Sequence, residues 1–111
     1  MTEPGWYPFE DGKTLGQTGS EEGVILRDEE HILGARITLE RGGRIVPFAI
    51  TCGIYGWMLH TRFFEAEAEA TDEYDRMRAA LAGLLEAAEQ AGDGGGSILM
   101  DGVAAFVDSF P

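Results

Sequence analysis

The sequence predicts an α+β fold: an antiparallel β-meander of three to four strands, packed by one long amphipathic helix and a short C-terminal helix. Three observations carry that reading. Residues 23–64 run in short apolar or alternating segments separated by glycine-bearing turns. Residues 44–64 contain three basic side chains and no acid, and lead directly into an acidic run over 65–75. From there Tyr74, Met77, Leu81, Leu84, Leu85 and Ala88 recur at the spacing of one helix face. At 111 residues, one domain over 1–111 is expected, large enough to bury roughly two thirds of its unfolded surface in a single core.

Residues 1–22 are rich in glycine, proline and polar side chains and predict an irregular arm, anchored by Trp6, Tyr7 and Phe9. Residues 14–17 suit a short strand. The meander spans 23–64. Its first run is 24–27, followed by a polar reversal at Asp28, Glu29, Glu30 and His31. In the next run Leu33, Ala35, Ile37 and Leu39 alternate with Gly34, Arg36, Thr38 and Glu40, the period of a half-buried strand. Gly42 and Gly43 supply the positive φ angles of a tight hairpin. The returning strand over 45–52 places Val46, Phe48, Ile50 and Cys52 on one face, with Pro47 at an edge or bulge. Gly53 to Gly56 bend the chain into a last strand over 57–64.

Both faces of residues 45–64 carry apolar groups, so each face requires a cover. Helices on both sides satisfy this, as does one helix with a second subunit. The main helix is expected over 71–91, with Thr71 or Asp72 as N-cap and Gly92 as its stop. A second stripe, Ala80, Gly83 and Ala87, suits close approach of another chain or of the C-terminal segment. The short helix is expected over 97–110, capped by Ser97, with Leu99, Val103, Phe106 and Phe110 as its apolar stripe.

Twenty acids against eight Lys and Arg give a formal charge of −12. Such a surface repels a nucleic-acid backbone, so nucleic acid is not an expected partner. Solubility is the simplest use of the charge, and a basic protein partner is a second. No apolar run reaches the length of a membrane span. No charged segment followed by an apolar run opens the chain, so a soluble, cytoplasmic protein is expected. Cys52 is the sole cysteine and forms no intramolecular disulfide.

Chemical signatures are sparse. Gly12-Lys13-Thr14 lacks the upstream glycine and preceding strand of a phosphate loop. The histidines and cysteine lack zinc spacing, and the acidic run lacks the glycine of a calcium loop, so neither a metal nor a cofactor is expected. The residues match no family motif. Two function classes stay open. The leading one is a small non-enzymatic interaction or regulatory protein, homodimeric through a sheet face, with Glu65, Glu67 and Glu69 facing a basic partner. The other is a ligand binder or simple enzyme with a pocket between sheet and helix, lined by Tyr55, Trp57, His60 and Cys52.

Overall fold

In the computed structural model, which describes residues 4–111, the predicted alternation produces an antiparallel sheet in simple chain order. Its strands are β1 (Trp6–Pro8), β2 (Val24–His31), β3 (Ala35–Arg41), β4 (Phe48–Ile54) and β5 (Met58–Phe64). Two helices follow, α1 (Glu67–Ala91) and α2 (Gly95–Ser109). The architecture is the predicted α+β meander with two helices, but with five strands rather than three or four. The extra strand comes from the N-terminal arm. Trp6, Tyr7 and Pro8 pair with His31, Glu30 and Glu29, so the aromatic anchors sit in a sheet edge.

The core lies between the sheet and α1. Ala35, Ile37 and Leu39 of β3 and Phe48, Ile50, Cys52 and Ile54 of β4 point toward the helix. Ala70, Tyr74, Met77, Leu81 and Leu85 of α1 fill the space above them. The stripe reaches one turn further back than expected, because Ala70 is fully buried one turn before Tyr74. The helix therefore starts at Glu67 instead of near 71, and Thr71 and Asp72 lie inside it. The cap position is Ala66, whose carbonyl accepts the Ala70 N–H.

The Asp28–His31 segment is not a reversal. It completes β2, and the turn falls at residues 32–34. Each polar side chain in it has work that a solvated turn would not supply. Asp28 accepts from Thr14, Arg36 and Thr38. Glu29 accepts from Arg78 and Tyr74. Glu30 accepts from the hydroxyls of Tyr7 and Tyr55. His31 is 2% exposed, edge-on to Trp6, and its Nδ1 accepts the Leu33 N–H. A Cβ at Gly5 would lie 2.3 Å from His31 Nε2, so only glycine fits beside the ring.

Two further local expectations change. The Gly42-Gly43 hairpin is wider than a two-residue turn: β4 resumes only at Phe48, and the Gly42 N–H closes the loop onto the Pro47 carbonyl. Residues 14–17 form turns and not a strand, although the Gly16 N–H and the Gln17 carbonyl bond to the backbone of Ile25.

α2 packs on α1, and the glycine that permits this is Gly102 rather than Gly83. A Cβ on Gly102 would lie 2.1 Å from Leu84 Cδ1, whereas one on Gly83 would meet nothing within 4 Å. Ser97 lies inside α2, which begins at Gly95, where a Cβ would lie 2.7 Å from the Ala88 carbonyl oxygen. The chain end is tied to β5. His60 Nε2 donates to the Phe110 carbonyl, and Arg62 Nε donates to that of Pro111. Arg62 also binds Glu73 of α1. Burial alone would raise the Glu73 carboxyl, but hydrogen bonds from Arg62 and Arg76 outweigh it and hold it below its ordinary value.

Two outcomes follow. Gly102→Ala lowers unfolding stability by up to about 2 kcal/mol, because overpacking against Leu84 costs about 1–3 kcal/mol and the helix gain over glycine offsets about 0.5–1 kcal/mol of that. Gly83→Ala raises it by about 0.5–1 kcal/mol, the ordinary helix gain over glycine. Urea midpoints of the two variants check both. Separately, burial pushes His31 below its usual value near 6.5, with Glu86 opposing and Arg78 reinforcing the shift. The unfolded chain then takes up this proton first as pH falls. The contribution is complete above about pH 6.5 and is lost below it, toward the depressed folded value. The melting temperature therefore drops as pH falls below about 6.5, ahead of the carboxylate range, and His31→Gln flattens that slope.

Candidate functional site

The sheet face opposite α1 is built from the polar partners of the alternation. Along β3 it presents Arg36, Thr38 and Glu40; β4 adds Ala49, Thr51 and Gly53, and β5 adds Leu59, Thr61 and Phe63. Register sets them in rows. Thr38, Thr51 and Thr61 stand side by side, and so do Arg36, Gly53 and Leu59. The Thr51 and Thr61 hydroxyls are 3.4 Å apart.

The N-terminal arm covers half of this face. After β1 the chain leaves the sheet edge, and residues 9–15 fold over β2 and β3. Phe9 stacks on the Arg36 guanidinium, 3.6 Å from ring centroid to Cζ. Thr14 Oγ1 donates to Asp28 Oδ2 at 2.8 Å. Further on, the turn before β2 closes over Glu40, whose carboxylate accepts the backbone N–H groups of Glu21 and Gly23. Glu40 is 1% exposed, and Asp28 is buried as well. A buried carboxylate is tolerated only when such donors satisfy it.

Where the arm stops short of β4 and β5, a cleft of about 780 Å³ opens. Phe9 and Thr14 wall one side, Tyr55 and Leu59 the other, with Arg36 and the threonine row on its floor. Among the described residues Arg36 is the one basic side chain lining it. Asp28 orients that guanidinium in bidentate fashion: Nε donates to Oδ1 at 2.9 Å and Nη2 to Oδ2 at 2.7 Å. From the Leu59 wall of the cleft outward, the same sheet face is apolar and uncovered. Leu59 is 80% exposed and Phe63 45%.

The four residues expected around one pocket are divided by the sheet. Tyr55 lies on the cleft rim, its hydroxyl donating to Glu30, and burial with that bond pushes its pKa up to about 12. Trp57 is part of the same turn and half exposed, with its ring edge 3.9 Å from a Cβ built on Gly96. Cys52 contributes to the cleft lining from within β4, but its side chain is buried in the core on the helix side, where His60 is its register partner. They do not form a reactive pair. Burial pushes the Cys52 thiol up to about 12, with Arg62 only partly opposing it, so at neutral pH the nucleophilic thiolate is absent. His60 Nε2 is committed to the Phe110 carbonyl, and its ring meets Phe106 edge-on. The space expected to form a pocket between sheet and helix is core: Ile37, Ile50, Tyr74, Met77 and Leu81 are fully buried there.

Glu65, Glu67 and Glu69 are all exposed, with no ion pair among the described residues. Glu67 and Glu69 sit in the first turn of α1, where a carboxylate complements the helix dipole. No group of three or more potential metal ligands occurs among the described residues, and no described helix is long and apolar enough to cross a membrane. Comparison with protein-family models, with curated proteins and with solved structures finds no match.

Sequence reasoning overlooked Arg36, Asp28 and the three threonines. A usable signal existed, since Thr38, Thr51 and Thr61 each fall on a non-core position of the alternation. Their assembly into one row depends on strand register, which the hairpin lengths had misplaced by several residues.

Proposed function

We propose that this chain is a non-enzymatic interaction protein that receives a basic protein partner on the uncovered face of β4 and β5. The observation that carries the proposal is the exposure of Leu59 and Phe63 on the outermost strand, on a face that the arm and both helices leave open. A paired apolar surface beside charged surroundings is the anatomy of an interface core and rim. The charge of −12 favours a cationic partner and speeds its approach. The exposed acids Glu65, Glu67 and Glu69 follow β5 directly and contribute to that field. The raised thiol pKa of Cys52 and the engagement of His60 weigh against nucleophilic chemistry between them. A buried free cysteine fits a reducing, cytoplasmic setting.

A homodimer through the same region is the second reading, and the anatomy of the sheet edges favours it. β1 is three residues long and ends in Pro8, which blunts its edge. β5 is seven residues long, contains no proline, and among the described residues pairs on one side only. An unblunted edge strand accepts another strand, including its own copy.

Immobilised wild-type protein, a Leu59→Asn/Phe63→Asn variant and a Glu65→Gln/Glu67→Gln/Glu69→Gln variant test the proposal together by affinity capture. The wild type is expected to enrich a basic protein. The Asn variant loses at least about tenfold of that affinity, and the Gln variant loses association rate and salt dependence. Equal retention by the Asn variant, or no enriched basic protein, contradicts the proposal. Sedimentation over a concentration series decides the second reading, which requires a dimer that the Asn variant dissociates.

A further inference from the structure

We infer that the cleft beside this face is a binding site for a monocarboxylate bearing an apolar group, with Arg36 as the carboxylate receptor. The argument begins with the donors Arg36 still holds. A guanidinium has five N–H groups. Two are spent on Asp28, through Nε and Nη2. No hydrogen bond from Nη1 occurs among the described residues, and the Arg36 side chain is 35% exposed in a residue that lines the cleft. The outer edge of the fork, Nη1 with the second N–H of Nη2, therefore has no hydrogen-bond partner among the described residues. Two parallel N–H groups at that spacing match the two oxygens of a carboxylate.

The guanidinium is also held rigid, so little ordering remains to be done on binding. Asp28 is saturated by four donors, from Arg36 Nε and Nη2 and from the hydroxyls of Thr14 and Thr38. It cannot rotate without breaking several of them. Phe9 covers one face of the guanidinium plane. Pre-organisation of this kind lowers the cost of binding.

The rest of the ligand is defined by what stands next to Arg36. Its neighbour across β4 is Gly53, which has no side chain to fill the floor, and beyond Gly53 stands Leu59. A group extending from the carboxylate crosses that notch and meets the exposed Leu59 side chain. Thr51 and Thr61 stand alongside and offer hydroxyls to a polar backbone or hydroxyl group of the ligand, the Thr38 hydroxyl being held by Asp28. Glu10 and Glu21 also line the cleft, and Glu30 is the register partner of Arg36. These acids disfavour a doubly charged phosphate while leaving a monoanion tolerable at contact with the fork. Their repulsion is exposed and screened by salt, whereas the fork contact is short, so affinity rises with ionic strength.

The carboxylate has two possible sources, a free small acid or the C-terminus of a polypeptide. Titration of the purified, isotopically labelled protein distinguishes them by two-dimensional NMR of backbone amides and of Arg side-chain Nε–H groups. The probes are 3-phenylpropionate, N-acetylglycylphenylalanine, the C-terminal amide of the latter, and inorganic phosphate. Both acids are expected to shift Arg36 Nε–H and the amides of Thr51, Gly53 and Tyr55 saturably. The amide and phosphate bind at least about tenfold more weakly. Tighter binding of the dipeptide acid assigns the site to a chain terminus, and tighter binding of phenylpropionate to a free acid. Arg36→Lys keeps the charge but not the fork, and loses about tenfold or more. Leu59→Asn, an exposed substitution that leaves the fold intact, weakens both acids several-fold. Saturation by neither acid at about 20 mM, well beyond millimolar affinity, or equal binding of acid and amide, overturns the inference. The titration needs no protein partner, so it fails or succeeds independently of the interaction proposed above.

Discussion

Two buried carboxylates, Asp28 and Glu40, hold this structure in the form that gives it a cleft. Both stand on the sheet face turned away from the helices, where an ordinary antiparallel sheet would meet water. Each is kept from water by the N-terminal arm, and each holds that arm in return. Asp28 takes the hydroxyl of Thr14, and Glu40 takes the backbone N–H groups of Glu21 and Gly23. The arrangement is reciprocal: without the arm the carboxylates would hydrate, and without the carboxylates the arm would lose its main polar attachments. Gly19 shows how closely the parts fit, since a Cβ there would lie 2.3 Å from the Glu40 carboxyl carbon.

The opposite face follows a different logic. There the helix is bound chiefly by apolar packing, with a polar border at each side. Glu29 on β2 takes Arg78 and Tyr74, while Arg62 on β5 takes Glu73 and the final carbonyl. Burial and the nearby Glu29 keep the Tyr74 hydroxyl protonated, so it serves as a donor. The consequence for function is a division of labour. The helix face is filled and reactive groups on it are quenched, as the Cys52 thiol is. The arm face is only half covered, and the uncovered half carries the cleft, Arg36 and the exposed pair Leu59 and Phe63.

Much of the fold was legible because period and length are local properties. The helix stripe of α1, the apolar stripe of α2 and the alternation of β3 each depend on neighbours a few residues away. The Asp28–His31 segment is not a reversal because most of its partners lie 8 to 49 residues distant, which no local pattern records. His31 falls in that reversal for the same reason, since Trp6 and Gly5, which cover it, lie in the N-terminal arm. The candidate site depends most on register. Tyr55 was correctly placed at a glycine-flanked bend, yet its companions were chosen by proximity in sequence. The sheet then separated it from Cys52 and His60 and joined it to Arg36, a residue whose charge looked like an ordinary exposed position. Helix starts, strand faces and turns are written in sequence spacing, whereas a cleft on a sheet is written in register.

Backbone amide exchange in the wild type, Asp28→Asn and Glu40→Gln tests most directly whether the arm hangs on the two carboxylates. If it does, Glu40→Gln speeds exchange at Glu21 and Gly23 by about tenfold or more, and Asp28→Asn loosens residues 13–17. Amides of β3 and β4 stay near wild-type protection in both variants. Unchanged protection of the arm, or equal loss through arm and core together, would contradict the account, because the cleft would then owe its shape to something other than these two side chains.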